Sequence, residues 1–432
     1  MESIILLLLV VSTLYSSSSA AISLQSYFPK EALPTKSGYL TVNSTSGSSI
    51  FYTYYEAQKP RTPLYETPFL IWLQGGPGCS SMLGNFYELG PFRVSSSLRH
   101  NVGHLVLEPN PGSWNRIFGV LFLDNPIGTG FSIASSQEEI PRSQHDVAKH
   151  LFIAMREFVG LDKLFENRPF YVTGESYAGK YVPAFAYFTL RKNKGLPKSR
   201  RLNLAGVAIG NGLTDPEVQV ATHALNAYYS GLINEKQKTQ LEELQEEAIR
   251  LTRNGNWSEA TNARSRVLIR LSNMTGLATL YDFRRLKPYE DELVAKFLSN
   301  IEIKRALKAR ESIVFDVCSD LVGKVLHEDV MKSVSKVLLY QGQCDLRDGV
   351  VSTEAWMKKM KWEGIGKVNG ELAGYMQKWE NLTHVVVMNA GHLVPTDQAV
   401  NSQAMIEDWV LEKGLFSMSP IMQKPISIGK SL

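Results

Sequence analysis

The sequence predicts an α/β fold: a central, mostly parallel sheet flanked by helices and interrupted once by a purely helical block. Three observations lead there. Short apolar runs recur and each ends at Gly or a polar turn, helical patterns separate them, and between about 213 and 310 the strand-like runs stop.

The apolar runs fall at 69–73, 120–123, 170–173, 207–209, 337–340 and 385–388. Runs this short and apolar on both faces suit strands buried in the middle of a parallel sheet. After Asp146, the residues Val147, Leu151, Ala154, Met155 and Phe158 recur at helical spacing, and 177–190 reads as a second helix. Alternation of the two element types argues layered α/β architecture. In the helical block, Leu241, Leu244, Ala248 and Leu251 line one face of a charged segment, the mark of a helix packed on its neighbours. The expected division is therefore a first core part at 21–212, a helical cap insertion at 213–310 and a second core part at 311–432.

At 432 residues the chain exceeds a typical domain of about 100 to 200 residues, which suits one large α/β unit carrying an insertion. A net charge of +4 from 46 basic and 42 acidic residues gives no field that would draw nucleic acid. The densest basic stretch, RKNKGLPKSRR at 191–201, reads as a solvated loop.

Residues 4–15 are apolar over about a dozen positions, short of the ~20 that span a bilayer, and run into SSSSAA. Small residues at Ser18 and Ala20 predict a signal peptide over 1–20, although no basic residue precedes the apolar run. No later segment is long and apolar enough to cross a membrane, so a soluble lumenal or extracellular chain is expected, secreted or vacuolar. Four N-x-S/T sequons, at Asn43, Asn256, Asn273 and Asn381, fit that compartment as glycosylation sites. Three cysteines, Cys79, Cys318 and Cys344, suggest one bridge and one leftover thiol.

The stretch GESYAG at 174–179 follows one apolar run and opens a helix. Strand, Gly, Ser and helix in succession is the context of a nucleophile elbow, with Ser176 at the bend. Positions two before and two after must be small because the strand and helix backbones nearly touch there; Gly174 and Ala178 meet that demand. Asp345 and His392 each follow a later apolar run, where an open α/β sheet places its site. The order Ser, Asp, His is that of α/β hydrolases. His392 would act as general base and acid toward Ser176, with Asp345 fixing the imidazole, and Asp348 is the rival for the acid. His145 and His150 lie five apart on a helix and face different ways, which disfavours a metal pair, and no cofactor is called for. The glycines of WLQGGPGCSS at 72–81 let backbone approach a ligand, so an N–H from that loop and the N–H of Tyr177 would form an oxyanion hole.

WLQGGPGCSS, YELGPFRV, SWN at 113–115, LDNPIGTGFS at 123–132, GESYAGKYVP, IGNG at 209–212, FLSNIEIKRAL at 297–307 and NAGHLVPTDQ at 389–398 appear in order. Together they resemble the serine carboxypeptidase family of α/β hydrolases over nearly the whole mature chain, most like the shorter plant carboxypeptidase-like proteins. The resemblance implies nucleophile Ser176, acid Asp345, base His392, and an oxyanion hole from the N–H groups of Gly76 and Tyr177. It implies a bridge between Cys79 and Cys318, leaving Cys344 free. It also implies that a substrate's C-terminal carboxylate is bound by Gln74, the N–H of Gly75, and Glu175 hydrogen-bonded to Glu88. The family more often has Asn at position 74, and Pro is frequent where this chain has Ala399.

The implied activity is release of single residues from peptide or protein C-termini, favoured in mild acid by a proton shared between Glu88 and Glu175. Two alternatives stand beside it: an acyltransferase using glucose esters, as in plant relatives with G-D-S-Y-S at the elbow, and a scaffold that works by binding partners. The residues do not set the oligomeric state.

Overall fold

The computed structural model describes residues 28–99, 102–326, 336–357, 366–367, 373–379 and 381–417, so the expected signal peptide lies outside the described residues. Strands run in chain order as β1 (Lys36–Asn43), β2 (Ser48–Tyr55), β3 (Phe69–Leu73), β4 (Phe92–Arg99), β5 (Val102–Pro109) and β6 (Gly119–Leu123). They continue as β7 (Phe170–Glu175), β8 (Leu204–Gly210), β9 (Lys336–Gly342), β10 (Gly366–Lys367), β11 (Gly374–Trp379) and β12 (Leu382–Val387). Ten of them form one sheet in the order β1-β2-β6-β3-β7-β8-β9-β12-β11-β10, while β4 and β5 pair separately.

From β6 to β12 every neighbouring pair is parallel, and the strands at both edges of the sheet are antiparallel. The fold is that of an α/β hydrolase. Its parallel centre coincides with the six apolar runs; β7, like β3 and β6, is buried throughout, while Val337, Val386 and Met388 are half-buried. Two hydrophobic clusters sandwich the sheet, one carrying the helices Gln144–Gly160 and Ala178–Lys194, the other Ala399–Leu411 and the aromatic pair Trp72 and Trp114. Truncating one of these aromatic anchors to Ala would cost about 3–5 kcal/mol.

The outer strands escape the apolar-run criterion. KSGYLTVN and GYMQKW mix Ser, Thr, Lys and Gln into their strands, because strands toward the margins of the sheet keep one side toward solvent, and FRVSSSLR, paired only with β5, is as polar. The elbow helix also continues past Leu190 to Lys194, so the basic stretch begins on a helix and not in a loop. Arg191, Lys192 and Lys194 sit in its last turn, where cations complement the exposed carbonyl end of the helix dipole.

Between 213 and 310 the described residues form helices and no strand. Glu235–Arg253 starts with a reciprocal cap between Asn234 and Gln237. Its Leu241 packs with Val267 and Leu271 of Trp257–Thr275 and with Ala224 and Ala227, and Leu244 borders the same cluster. No helix among the described residues is long and apolar enough to cross a membrane.

Candidate active site

The parallel strands all point one way, so the loops after β3, β7, β8, β9 and β12 converge. They carry Gln74, Ser176, Asn211, Asp345 and His392 respectively.

Ser176 has φ +58°, the left-handed region that a non-glycine residue enters only under constraint. The constraint is visible. Ser176 N–H donates to the Gly210 carbonyl at 3.0 Å, and its own carbonyl accepts from Gly179 at 2.9 Å and Leu213 at 2.8 Å. A Cβ at Gly174 would lie 2.4 Å from the Leu73 carbonyl oxygen and 2.7 Å from the Cβ of Ala178, so small residues are obligatory on both sides.

His392 is buried and its Nδ1 lies 2.7 Å from Oδ2 of Asp345. Its Nε2 is buried with no hydrogen-bond partner among the described residues. That leaves the nitrogen facing away from Asp345 able to take a proton. The loop is fixed by His392 N–H donating to the Tyr281 carbonyl at 2.7 Å, by Gly391 N–H donating to Asp397 at 2.8 Å, and by the Tyr281 ring 4.6 Å from the imidazole. Gly342, at the end of β9, gives the loop room: a Cβ there would sit 1.8 Å from the Gly391 carbonyl oxygen.

Asp345 accepts from Arg347 N–H at 2.8 Å, Asp348 N–H at 3.2 Å and the Asn211 side-chain amide at 2.7 Å. These donors stabilise a buried carboxylate beside the imidazole. Asp348, the rival acid, instead pairs with Arg264 at 3.0 Å. Asn211 lies within IGNG, a motif that by itself gives it no role. The signal available was an Asn ending a strand, a type that tolerates the left-handed conformation it adopts here, at φ +41°. The contact made by Tyr281 leaves no mark in the sequence.

The loop after β3 presses on the elbow. A Cβ at Gly75 would lie 2.6 Å from the backbone nitrogen of Tyr177, and Gly76 has φ +108°, so both positions require glycine. Behind the loop, Cys79 is disulfide-bonded to Cys318, while Cys344 is a buried free thiol. Ser80 adds a second brace, donating at 2.5 Å to buried Asp124.

Gln74, Glu88 and Glu175 meet next to Ser176, all buried. Gln74 Nε2 donates to Oε1 of Glu175 at 2.8 Å and to Oε1 of Glu88 at 3.1 Å, while Gln74 Oε1 accepts from Trp72 Nε1 at 2.8 Å. Oε2 of each glutamate is buried without a donor among the described residues. Burial comes first and the neighbouring carboxyl second in raising Glu175 well above the usual carboxylate range; burial pushes Glu88 up to about 7. Two carboxyls side by side away from water cannot both ionise. Glu88 belongs to a π-helical turn, Gly84–Leu89, whose carbonyl end is gripped by Arg93.

The chain matches the profile of the family described as serine carboxypeptidase over residues 28–412. It is 54% identical over 444 residues to Serine carboxypeptidase-like 50 of Arabidopsis thaliana, covering 98% of each chain. It is 34% identical over 426 residues to Probable serine carboxypeptidase CPVL of Homo sapiens, covering 91% of this chain and 86% of that one. Among solved structures, Kex1(delta)p of Saccharomyces cerevisiae, a prohormone-processing carboxypeptidase, superposes with a TM-score of 0.78 at 25% identity, covering 90% of this chain and 95% of that one. The elbow, the aspartate-held histidine and these matches have one reading: the chain is an enzyme of the serine carboxypeptidase family, with the α/β-hydrolase fold.

Proposed function

We propose that the enzyme is a serine-type exopeptidase that releases single C-terminal residues from peptides through an acyl-enzyme on Ser176, and that mild acid favours it. The observation that carries this is the buried cluster of Gln74, Glu88 and Glu175 beside the nucleophile. An endopeptidase has no use for protonated carboxyls at this point, whereas a free C-terminal carboxylate needs donors and no opposing charge.

In the proposed reaction His392 Nε2 takes the proton from Ser176 Oγ as it attacks the scissile carbonyl, and Asp345 stabilises the imidazolium. The N–H groups of Gly76 and Tyr177 receive the oxyanion. His392 returns the proton to the departing amine; water then attacks the ester by the same route reversed. The leaving residue's carboxylate accepts from Gly75 N–H and from protonated Glu175. Gln74 acts through the pair, since both hydrogens of its amide are already directed at the glutamates.

We also assign the protein to the secretory pathway, with cleavage after Ala20. Asn43 is half-buried and Asn256, Asn273 and Asn381 are exposed, which leaves the sequons open to glycosylation. A mass loss on enzymatic deglycosylation tests that assignment.

The function is tested with N-blocked dipeptides and their C-terminal amides across pH. The acids should be cleaved far better than the amides below neutrality. Equal cleavage of both would remove the carboxylate site from the mechanism, and transfer of acyl groups from glucose esters in place of hydrolysis would turn the assignment to an acyltransferase.

A further inference from the structure

A cavity of about 320 Å³ borders Asp345 but is lined by neither Ser176 nor His392, nor by Gln74 or the two glutamates. Both carboxylate oxygens of Asp345 are already engaged by His392, Asn211 and two backbone N–H groups, so whatever fills this space meets other side chains. The floor is one face of the sheet: Tyr375 pairs with Val386 and Gln377 with His384 across β11 and β12, and cross-strand partners project together. The helix Val350–Met357 forms a wall, with Val351 and Glu354 turned to the space. Cavities that hold drug-sized ligands start at about 300 Å³, so a small organic molecule fits.

No Lys or Arg lines the cavity, whereas Glu354 does, half-buried and without an ion pair among the described residues. His384 is 1% exposed, and its Nε2 lies 2.5 Å from Oε1 of Gln341. An amide oxygen only accepts, so Nε2 carries the hydrogen. Burial pushes the imidazole down to about 4, which keeps the ring neutral above that pH and leaves Nδ1 an acceptor with no donor among the described residues. A buried acceptor without a donor is a standing cost that a bound donor removes. No group of three or more His, Cys, Asp or Glu among the described residues is placed to hold a metal ion, which leaves an organic cation as the donor.

We propose that this cavity binds a small organic cation, an ammonium or guanidinium group on an apolar stem. Glu354 supplies the counter-charge and Nδ1 of His384 an acceptor for the charged head. The stem packs on Val351, Val386 and the Tyr375 ring, whose face also attracts a cation. The proposal stands apart from the exopeptidase reading, since it needs neither the nucleophile nor the glutamate pair.

The test titrates the full-length enzyme with 4-phenylbutylamine and with 4-phenylbutanol, which share a stem and differ in charge, and follows binding by calorimetry. The amine should bind at a single site per chain, about tenfold or more tighter than the alcohol, the scale set by a buried hydrogen bond to a charged group. Glu354→Gln should erase that margin by weakening the amine alone. Gln377→Lys sets a competing cation in the floor and should do the same, which keeps the test open if the first variant fails to fold. Enzyme phosphonylated on Ser176 should bind the amine as tightly as the free enzyme does. Equal affinities for amine and alcohol, or no measurable binding of the amine, overturn the proposal. So does an unchanged margin in a folded variant, and so does loss of amine binding on phosphonylation, which would put the amine in the hydrolytic site instead.

Discussion

The indole N–H of Trp72 donates to Oε1 of Gln74 at 2.8 Å, and this bond decides which end of the amide faces the glutamates. An indole nitrogen is a donor only, so the atom it meets must be the amide oxygen. The NH2 end is thereby committed to Oε1 of Glu88 and of Glu175. Each glutamate's Oε2 is left to carry or share a proton.

Trp72→Phe removes that constraint, and Gln74→Leu removes the donors themselves. Losing a buried hydrogen-bond partner costs about 1–3 kcal/mol, so the Leu variant should raise KM for a blocked dipeptide about tenfold or more, and Trp72→Phe less. kcat should change little, because the reacting atoms are untouched. A Gln74→Leu enzyme with unchanged KM and an unchanged preference for acid over amide substrates would contradict this role.

The pH dependence has a definite sign. Burial raises Glu88 to about 7 and holds Glu175 well above the usual carboxylate range, so in acid the proposed mechanism has the pair carry two protons, one shared between the carboxyls and one offered to the substrate. As pH rises through about 7 the pair keeps a single proton, which the bridge retains. KM for C-terminal acids should therefore climb above neutrality while kcat holds. Glu175→Gln keeps a donor that does not titrate and should flatten the climb; a profile as steep as the wild type's would locate the titration elsewhere.

The central six strands and the order Ser, Asp, His were legible because burial on both faces writes a continuous apolar run, and because the elbow needs small residues at fixed offsets from Ser176. The edge strands were not, since a half-exposed strand such as Lys36–Asn43 mixes Lys, Ser and Thr into its pattern as ordinary loops do. Neither was the second layer of the site. Trp72 reads as core, and Asn211 as part of a turn, until the strand order brings β3, β8 and β9 around the elbow strand. Contacts between residues far apart in the chain, such as Asn211 with Asp345, leave no periodicity to find.

Asn211 supplies a direct check on that second layer. Its amide donates to Asp345 Oδ2 at 2.7 Å, the same oxygen that meets His392, and its Oδ1 accepts from Gly342 N–H at 3.0 Å. Asn211→Ala leaves the aspartate one donor short and loosens the end of β9. kcat should fall about ten- to a hundredfold, corresponding to the ~1–3 kcal/mol of an unpaired buried group, with KM little changed. Unaltered kcat would mean that Arg347 and Asp348 hold Asp345 without it.

The bridge between Cys79 and Cys318 closes a separation of 239 residues, a span that holds the helical segment and the strands β6, β7 and β8 of the main sheet. Chain-entropy arguments assign a loop of that length about 5 kcal/mol, and measured losses for native bridges run about 2–5 kcal/mol. Its position adds a second consequence. Cys79 N–H donates to the Gly75 carbonyl at 3.2 Å, and Gly75 is the residue pressed against Tyr177. Replacing both cysteines by Ser should thus lower the denaturation midpoint, and at temperatures where the fold persists it should also lower kcat through the proposed oxyanion hole. Thermal unfolding followed beside initial rates separates the two effects. A destabilised variant with wild-type kcat well below its transition would show that the glycine loop is held by Ser80 and Asp124 instead, whose 2.5 Å contact survives the substitution.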